Sequence, residues 1–144
     1  LLPPVCTRRS ILPALATPLP FPGTRPTILL DAGANAECTP EMLVQFARMG
    51  SAFATARYGN DRPRVGLLSI GEEPGKGDPL RKATYKLLAE DASISFAGNV
   101  EGRDVLTDAV DVIVTDGFTG NVTLKTLEGA LRPKTGRTAG RERG

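Results

Sequence analysis

Apolar residues along this chain come in two alternating patterns, short β-branched runs and longer stretches at helical spacing. Thr27 to Leu30, Arg64 to Ile70, Ser93 to Ala97 and Val112 to Val114 are strand-length runs, and each breaks into a polar loop carrying glycine. Between them, Thr39 and Pro40 have the types of an N-cap and a first helical position. Met42, Phe46, Met49 and Phe53 then fall on one helix face, which predicts a helix ending near Tyr58-Gly59-Asn60. Asp78 and Pro79 open a second helix in the same way, with Leu80, Thr84, Leu87 and Leu88 inward. Asn121 is the residue type that caps a third, with Val122, Leu124 and Leu127 on its apolar side towards Ala130.

Strands and helices alternating at this interval predict an α/β fold of βαβ units, with a mostly parallel sheet and right-handed crossovers. In such a sheet the ligand lies outside the carboxyl ends of the strands. Those ends here are Asp31-Ala32-Gly33-Ala34-Asn35, Gly71 to Asp78, Gly98 to Asp104 and Asp116 to Asn121. Four loops of this kind converging at one edge predict a polar pocket. Gly117 and Gly120 suit a tight turn and a close backbone approach to an anion, and the first N–H groups of a helix opening at Asn121 would point at it.

Seven of the twelve prolines lie between Leu1 and Pro26, so residues 1–26 are expected to be an irregular lead-in. Residues 27–130 form the α/β core segment. From Leu131 almost nothing is available to bury, and residues 131–144 are expected to be a disordered basic tail. Both ends read as places where a longer protein was cut or its reading frame lost.

Composition narrows the chemistry. At 144 residues and 40% hydrophobic, the chain can build one domain core and not two. The net charge of +2 is gathered in the tail, where Arg132, Lys134, Arg137, Arg141 and Arg143 lie, and no nucleic-acid-binding signature accompanies it. Histidine is absent altogether, which removes Ser-His-Asp and Cys-His catalysis and His-ligated zinc from what this chain alone can do. Cys6 and Cys38 show no metal or redox spacing. Cys38 could carry an acyl group, but a spectator thiol is the stronger reading, since no base or helix start lowers its pKa. No signal peptide or membrane-spanning stretch is read in the sequence, and the expected location is the cytoplasm.

The blocks Pro13–Ala16, Leu29–Asn35, Leu43–Ser51, Pro63–Gly71, Gly98–Asp104 and Asp116–Asn121 through Gly129 follow one order across roughly residues 12 to 130. In them the chain resembles the bacterial acyl-ACP:phosphate acyltransferase (PlsX) family of phospholipid synthesis. The resemblance implies transfer of a long acyl chain from the thioester of acyl carrier protein to inorganic phosphate, giving acyl phosphate without any cofactor. It implies a homodimer, peripheral contact with the membrane, and a three-layer fold similar to phosphotransacetylases and to isocitrate or isopropylmalate dehydrogenases. Family members are much longer, with strands before this segment and helices after it. The chain therefore reads as the middle of the enzyme, with the fold incomplete in it and its own activity left open.

Phosphate arrives as a nucleophile, so the protein need only hold an anion beside a thioester carbonyl and stabilise the oxyanion. Lys76, between Gly75 and Gly77, is the first candidate to pair with phosphate; it aligns with a lysine important in the family, and its alternative is a solvated loop lysine. Asn121 is the second, through its amide, and an N-cap role is compatible with that. Asp116 either orients these groups or closes a turn. Asp31 and Asn35 either fix their loop or touch substrate. Glu101 and Arg103 read as an ion pair, and Glu72 and Glu73 as solvated carboxylates, so no metal is expected. Two other readings stay open: an inactive fragment of this enzyme, and a nicotinamide-dependent decarboxylating dehydrogenase of similar fold, for which the metal-binding aspartates and arginine cluster are not found.

Overall fold

The computed structural model describes residues 14–19 and 25–132, together with the backbone of 4–5. Six strands form one sheet: β1 (Pro4–Val5), β2 (Ala14–Leu19), β3 (Thr27–Leu30), β4 (Arg64–Ser69), β5 (Ser95–Glu101) and β6 (Val112–Val114). Their spatial order is β1-β2-β3-β6-β4-β5. β3, β6, β4 and β5 run parallel, whereas β2 is antiparallel to β3 and β1 to β2. β3 and β6 are buried at every position, as strands covered on both faces require.

Among the described residues three α-helices cover the sheet: α1 (Pro40–Tyr58), α2 (Pro79–Glu90) and α3 (Gly117–Leu131). α1 begins as its sequence predicts. The Thr39 hydroxyl accepts from the Met42 amide at 3.2 Å, and Gly59 closes the helix at φ 68°, in the left-handed region. Its Phe46 and Met49 sit in a core with Leu88 of α2 and with Ile28, Leu30, Val65, Leu67, Val112 and Val114 of the sheet. The intervening residues Leu29, Leu68 and Ile113 point to the opposite face, where Leu124 of α3 joins them. The period of two along each strand thus separates two apolar layers, one under α1 and α2 and one under α3. Arg64 registers β4 against β6 from the other end, its amide and guanidinium both donating to the Asp111 carboxylate.

Five expectations are corrected. Ala14–Leu19, placed in the irregular lead-in, is a strand paired with β3 from Ala16↔Leu30 to Leu19↔Thr27. Beyond Leu15 it has β3 as its one partner among the described residues, so Pro18 need give up no ladder bond. Its apolar character is carried by alanines, which is why the pattern is faint. The Gly98-Asn99-Val100 loop is instead the continuation of β5. Phe96 pairs with Val65 and Gly98 with Gly66, leaving Ala97 as a bulge that Gly98 accommodates at φ 99°. α3 starts at Gly117, four residues earlier than Asn121 suggested, because Asp116 caps it. Leu87 and Val122, read as inward, are exposed at 36% and 51%. The tail is expected from Leu131, but Leu131 is the last residue of α3; past Arg132 the tail lies outside the described residues, as does the rest of the lead-in apart from β1, Arg25 and Pro26.

Phe46 is fully buried at the centre of the α1 layer. Phe46→Ala should lower the unfolding free energy by about 3–5 kcal/mol, while Leu87→Ala should change it by about 0.5 kcal/mol or less. Urea titration followed by circular dichroism measures both.

Candidate functional site

The carboxyl ends of β3, β6 and β4 lie side by side, and the loops leaving them meet at α3's first turn. Asp116 follows β6 directly. It is buried, and its carboxylate accepts from the Thr119 amide and from the Thr119 hydroxyl, both at 2.9 Å. A third donor comes from α2: Nη2 of Arg81 lies 2.5 Å from the Asp116 carboxylate. Burial pushes the Asp116 carboxyl up, but the Thr119 amide, the Arg81 guanidinium and the Thr119 hydroxyl outweigh it and hold it below the usual carboxylate range.

Asp31 organises the neighbouring loop. One carboxylate oxygen accepts from the amides of Leu15, Gly33 and Ala34 and the other from the amide and side chain of Asn35, at 2.7–3.1 Å. The carboxylate is therefore used in holding β2 and the loop around it. α3 seats on this loop through two small residues. The Gly117 amide donates to the Asn35 carbonyl at 2.7 Å, and a Cβ at Gly117 would stand 2.5 Å from that oxygen. A Cβ at Gly120 would overlap the Asp31 carbonyl. These glycines serve helix-to-loop contact, and neither has a positive φ.

This seating corrects the expected anion site. The Gly117 amide is committed to Asn35, the Thr119 amide to the Asp116 side chain and the Gly120 amide to the Asp116 carbonyl. The start of α3 thus spends these N–H groups inside the protein. Asn121 is not the cap; it lies in the second turn, where its Nδ2 donates to the Ala32 carbonyl at 3.4 Å and flanks Gly33.

Lys76 lies in the exposed loop between β4 and α2. Its amide donates to the Glu73 carbonyl and its own carbonyl accepts from Ser69 Oγ, each at 3.0 Å. Asn99 of β5 holds the same Glu73 carbonyl at 2.8 Å. Among the described residues no carboxylate forms an ion pair with the Lys76 ammonium. Gly75 faces open space, whereas Gly77, at φ 118°, packs against Arg81 and Ser69. The structure therefore brings Asp31, Asn35, Gly117, Gly120 and Asn121 into one contact cluster and joins Gly77 to Asp116 through Arg81. No hydrogen bond links Lys76 to Asn121 among the described residues.

Two cavities open on either side of Arg81. One, about 580 Å³, is lined by Cys38, Asp78, Leu80, Asp116, Phe118 and neighbours; the other, about 330 Å³, by Leu68, Ser69, Ile70 and Gly77. Asp78, Arg81 and Thr119 line both. Sequence reasoning missed Arg81 and Thr119. The signal for Arg81 was there, since 81, 84 and 88 fall on one helix face, but a cation on an inward stripe is normally read as surface.

The remaining candidates are placed as follows. Glu101 and Arg103 form the expected ion pair, at 3.3 Å. Glu72 lies with Glu101 and Asp104, carboxylate oxygens within 4.8 Å of one another, rather than acting with Glu73. Cys38 is half-buried, its Sγ donates to the Asn35 carbonyl at 3.5 Å, and burial pushes the thiol up to about 11. That supports the spectator reading. In a Cys6→Ser background, Cys38 should react with a disulfide reagent at pH 8 at least about tenfold more slowly than free cysteine, and the rate should rise about tenfold per pH unit until pH 11. Stopped-flow absorbance across pH 7–11 measures this.

A family model described as fatty acid synthesis protein matches residues 9–133. Among curated relatives, the phosphate acyltransferase of Thermobifida fusca (strain YX) is 58% identical over 123 residues, covering 83% of this chain and 34% of the relative. That of Bacillus subtilis (strain 168) is 56% identical over 118 residues, 82% of this chain and 35% of the relative. That of Helicobacter hepaticus (strain ATCC 51449 / 3B1) is 56% identical over 117 residues, 81% and 34% respectively. The chain spans about a third of the length of these relatives.

Proposed function

The chain belongs to the fatty acid synthesis protein family, and from that premise we propose that it forms the phosphate-side part of an acyltransferase. The reaction moves a fatty acyl group from the thioester of acyl carrier protein to inorganic phosphate, giving acyl phosphate for phospholipid synthesis. The matched relatives are phosphate acyltransferases, and nothing supports the dehydrogenase alternative. The observation that carries the reading is the Lys76 ammonium, left without an ion pair among the described residues, in the loop whose Ile70 and Gly77 line the smaller of the two cavities.

In this mechanism an oxygen of hydrogenphosphate attacks the thioester carbonyl carbon. The carbonyl becomes an oxyanion, the C–S bond breaks as it collapses, and the proton of hydrogenphosphate leaves with the pantetheine thiolate. Lys76 balances the phosphate charge. Asn121 turns its second Nδ2 hydrogen, the one not given to Ala32, towards phosphate or oxyanion. Asp31, Asn35, Asp116, Gly117 and Gly120 keep the loops in register, and Gly75 and Gly77 let the Lys76 loop bend over the anion. Phe118 and Ile70, exposed at 66% and 80%, flank the cavities and suit an apolar acyl or pantetheine arm. A homodimer, cytoplasmic location and peripheral membrane contact complete the reading; no described helix is long and apolar enough to cross a membrane.

The test is a chimera in which residues 14–132 replace the matched third of the Bacillus subtilis relative. It should form labelled acyl phosphate from acyl-ACP and labelled phosphate, whereas the 144-residue chain alone should show little turnover. A folded chimera that leaves the thioester intact would refute the assignment. Within it, Lys76→Ala removes a charge-assisted contact of about 1.5–3 kcal/mol, so turnover should fall at least about tenfold with the thermal midpoint little changed. Steady-state kinetics and calorimetry check both halves; unchanged kinetics would return Lys76 to a solvated loop.

A further inference from the structure

Arg81 is a buried cation with four of its five donors spent on protein. Its Nε donates to the Leu68 carbonyl at 3.2 Å and Nη1 to Asp78 at 3.3 Å. Nη2 serves Thr115 Oγ1 at 2.8 Å, Asp116 at 2.5 Å and Thr119 Oγ1 at 3.3 Å. Four of the five guanidinium N–H groups are thereby engaged. The Arg81 side chain is 9% exposed and that of Asp116 8%.

These contacts join two segments, the Lys76 loop and the start of α3, that no hydrogen bond among the described residues links directly. The stem of Arg81 supports the Lys76 loop, since a Cβ on Gly77 would stand 2.7 Å from Arg81 Cβ. Its head holds Asp116, which caps the helix that carries Asn121. Arg81 is therefore in contact with both the Lys76 loop and the residue that caps the Asn121 helix.

Resting on the acyltransferase reading, we propose that Arg81 is a positioning residue that sets the spacing between Lys76 and Asn121 and does not itself bind phosphate. A phosphate at the guanidinium would have to displace the Asp116 carboxylate or sit against it, like charge on like charge. A lysine cannot replace the fork, because one ammonium cannot span Leu68, Asp78 and Asp116 at their separate angles.

The experiment compares Arg81→Lys and Arg81→Gln with the parent. Kinetics are read in the chimera, and amide hydrogen exchange both in the chimera and in the 144-residue chain. For Arg81→Lys, kcat should fall at least about tenfold with KM for phosphate within about twofold, as displaced rather than lost groups predict. The Lys76 and Thr119 amides should exchange faster together while those in the middle of α1 do not change. Arg81→Gln should be at least as impaired. A raised KM with unchanged kcat would make Arg81 a phosphate ligand and overturn the proposal. Unchanged kinetics with only a lower thermal midpoint would do the same, leaving a purely structural ion pair. If the folded parent makes no acyl phosphate, the acyltransferase reading fails separately; exchange then decides alone, and independent behaviour of the two amides overturns the coupling.

Discussion

A guanidinium and a carboxylate removed from water must be paired, and the Arg81–Asp116 contact is the constraint around which the carboxyl edge of this sheet is built. Its value lies less in net stability than in geometry. Desolvating two charges offsets most of their attraction, whereas removing one partner leaves the other buried and uncompensated. The pair therefore penalises any arrangement in which α2 and α3 drift apart. Because the guanidinium also reaches the Leu68 carbonyl and Asp78, one planar fork registers β4, α2 and the β6-to-α3 junction together.

Close packing at this edge has a cost in donors. Gly117 and Gly120 let α3 approach the Asp31 loop so closely that its first amides are consumed by Asn35 and Asp116. A helix start that is usually an anion site is here largely closed. On the proposed acyltransferase reading, charge for the phosphate comes from a side chain, and Lys76 stands on the adjoining loop, its base fixed through Ser69 and Glu73. This division of labour suits a chain with no histidine. A nucleophile that arrives already anionic asks for positioning and charge balance rather than proton abstraction.

Cys38 illustrates how tertiary context sets reactivity. It lines the larger cavity beside Asp116, a position that sequence alone could assign to an acyl carrier. Burial, with Asp116 and Asp31 nearby, holds the thiol protonated, so proximity to the cavity does not make it a nucleophile.

What the sequence determined by itself is the set of local signals. Thr39-Pro40 and Asp78-Pro79 begin helices because cap and proline act within one turn, and the apolar runs at 27–30, 65–68 and 112–114 form buried parallel strands because both faces are apolar. Contiguous motifs across most of the chain also carried the family. Tertiary structure alone decided where competing local signals resolve. Asp116 rather than Asn121 caps α3, since Gly117 and Gly120 must meet the Asp31 loop; an alanine-rich, proline-bearing segment becomes β2, since β3 and the Asp31 carboxylate supply its partners. Arg81 turns inward for the same kind of reason. Its acceptors lie on β4, at the N-cap of α2 and at the start of α3, as many as 38 residues from Arg81 in sequence, and only folding brings them within reach of one side chain.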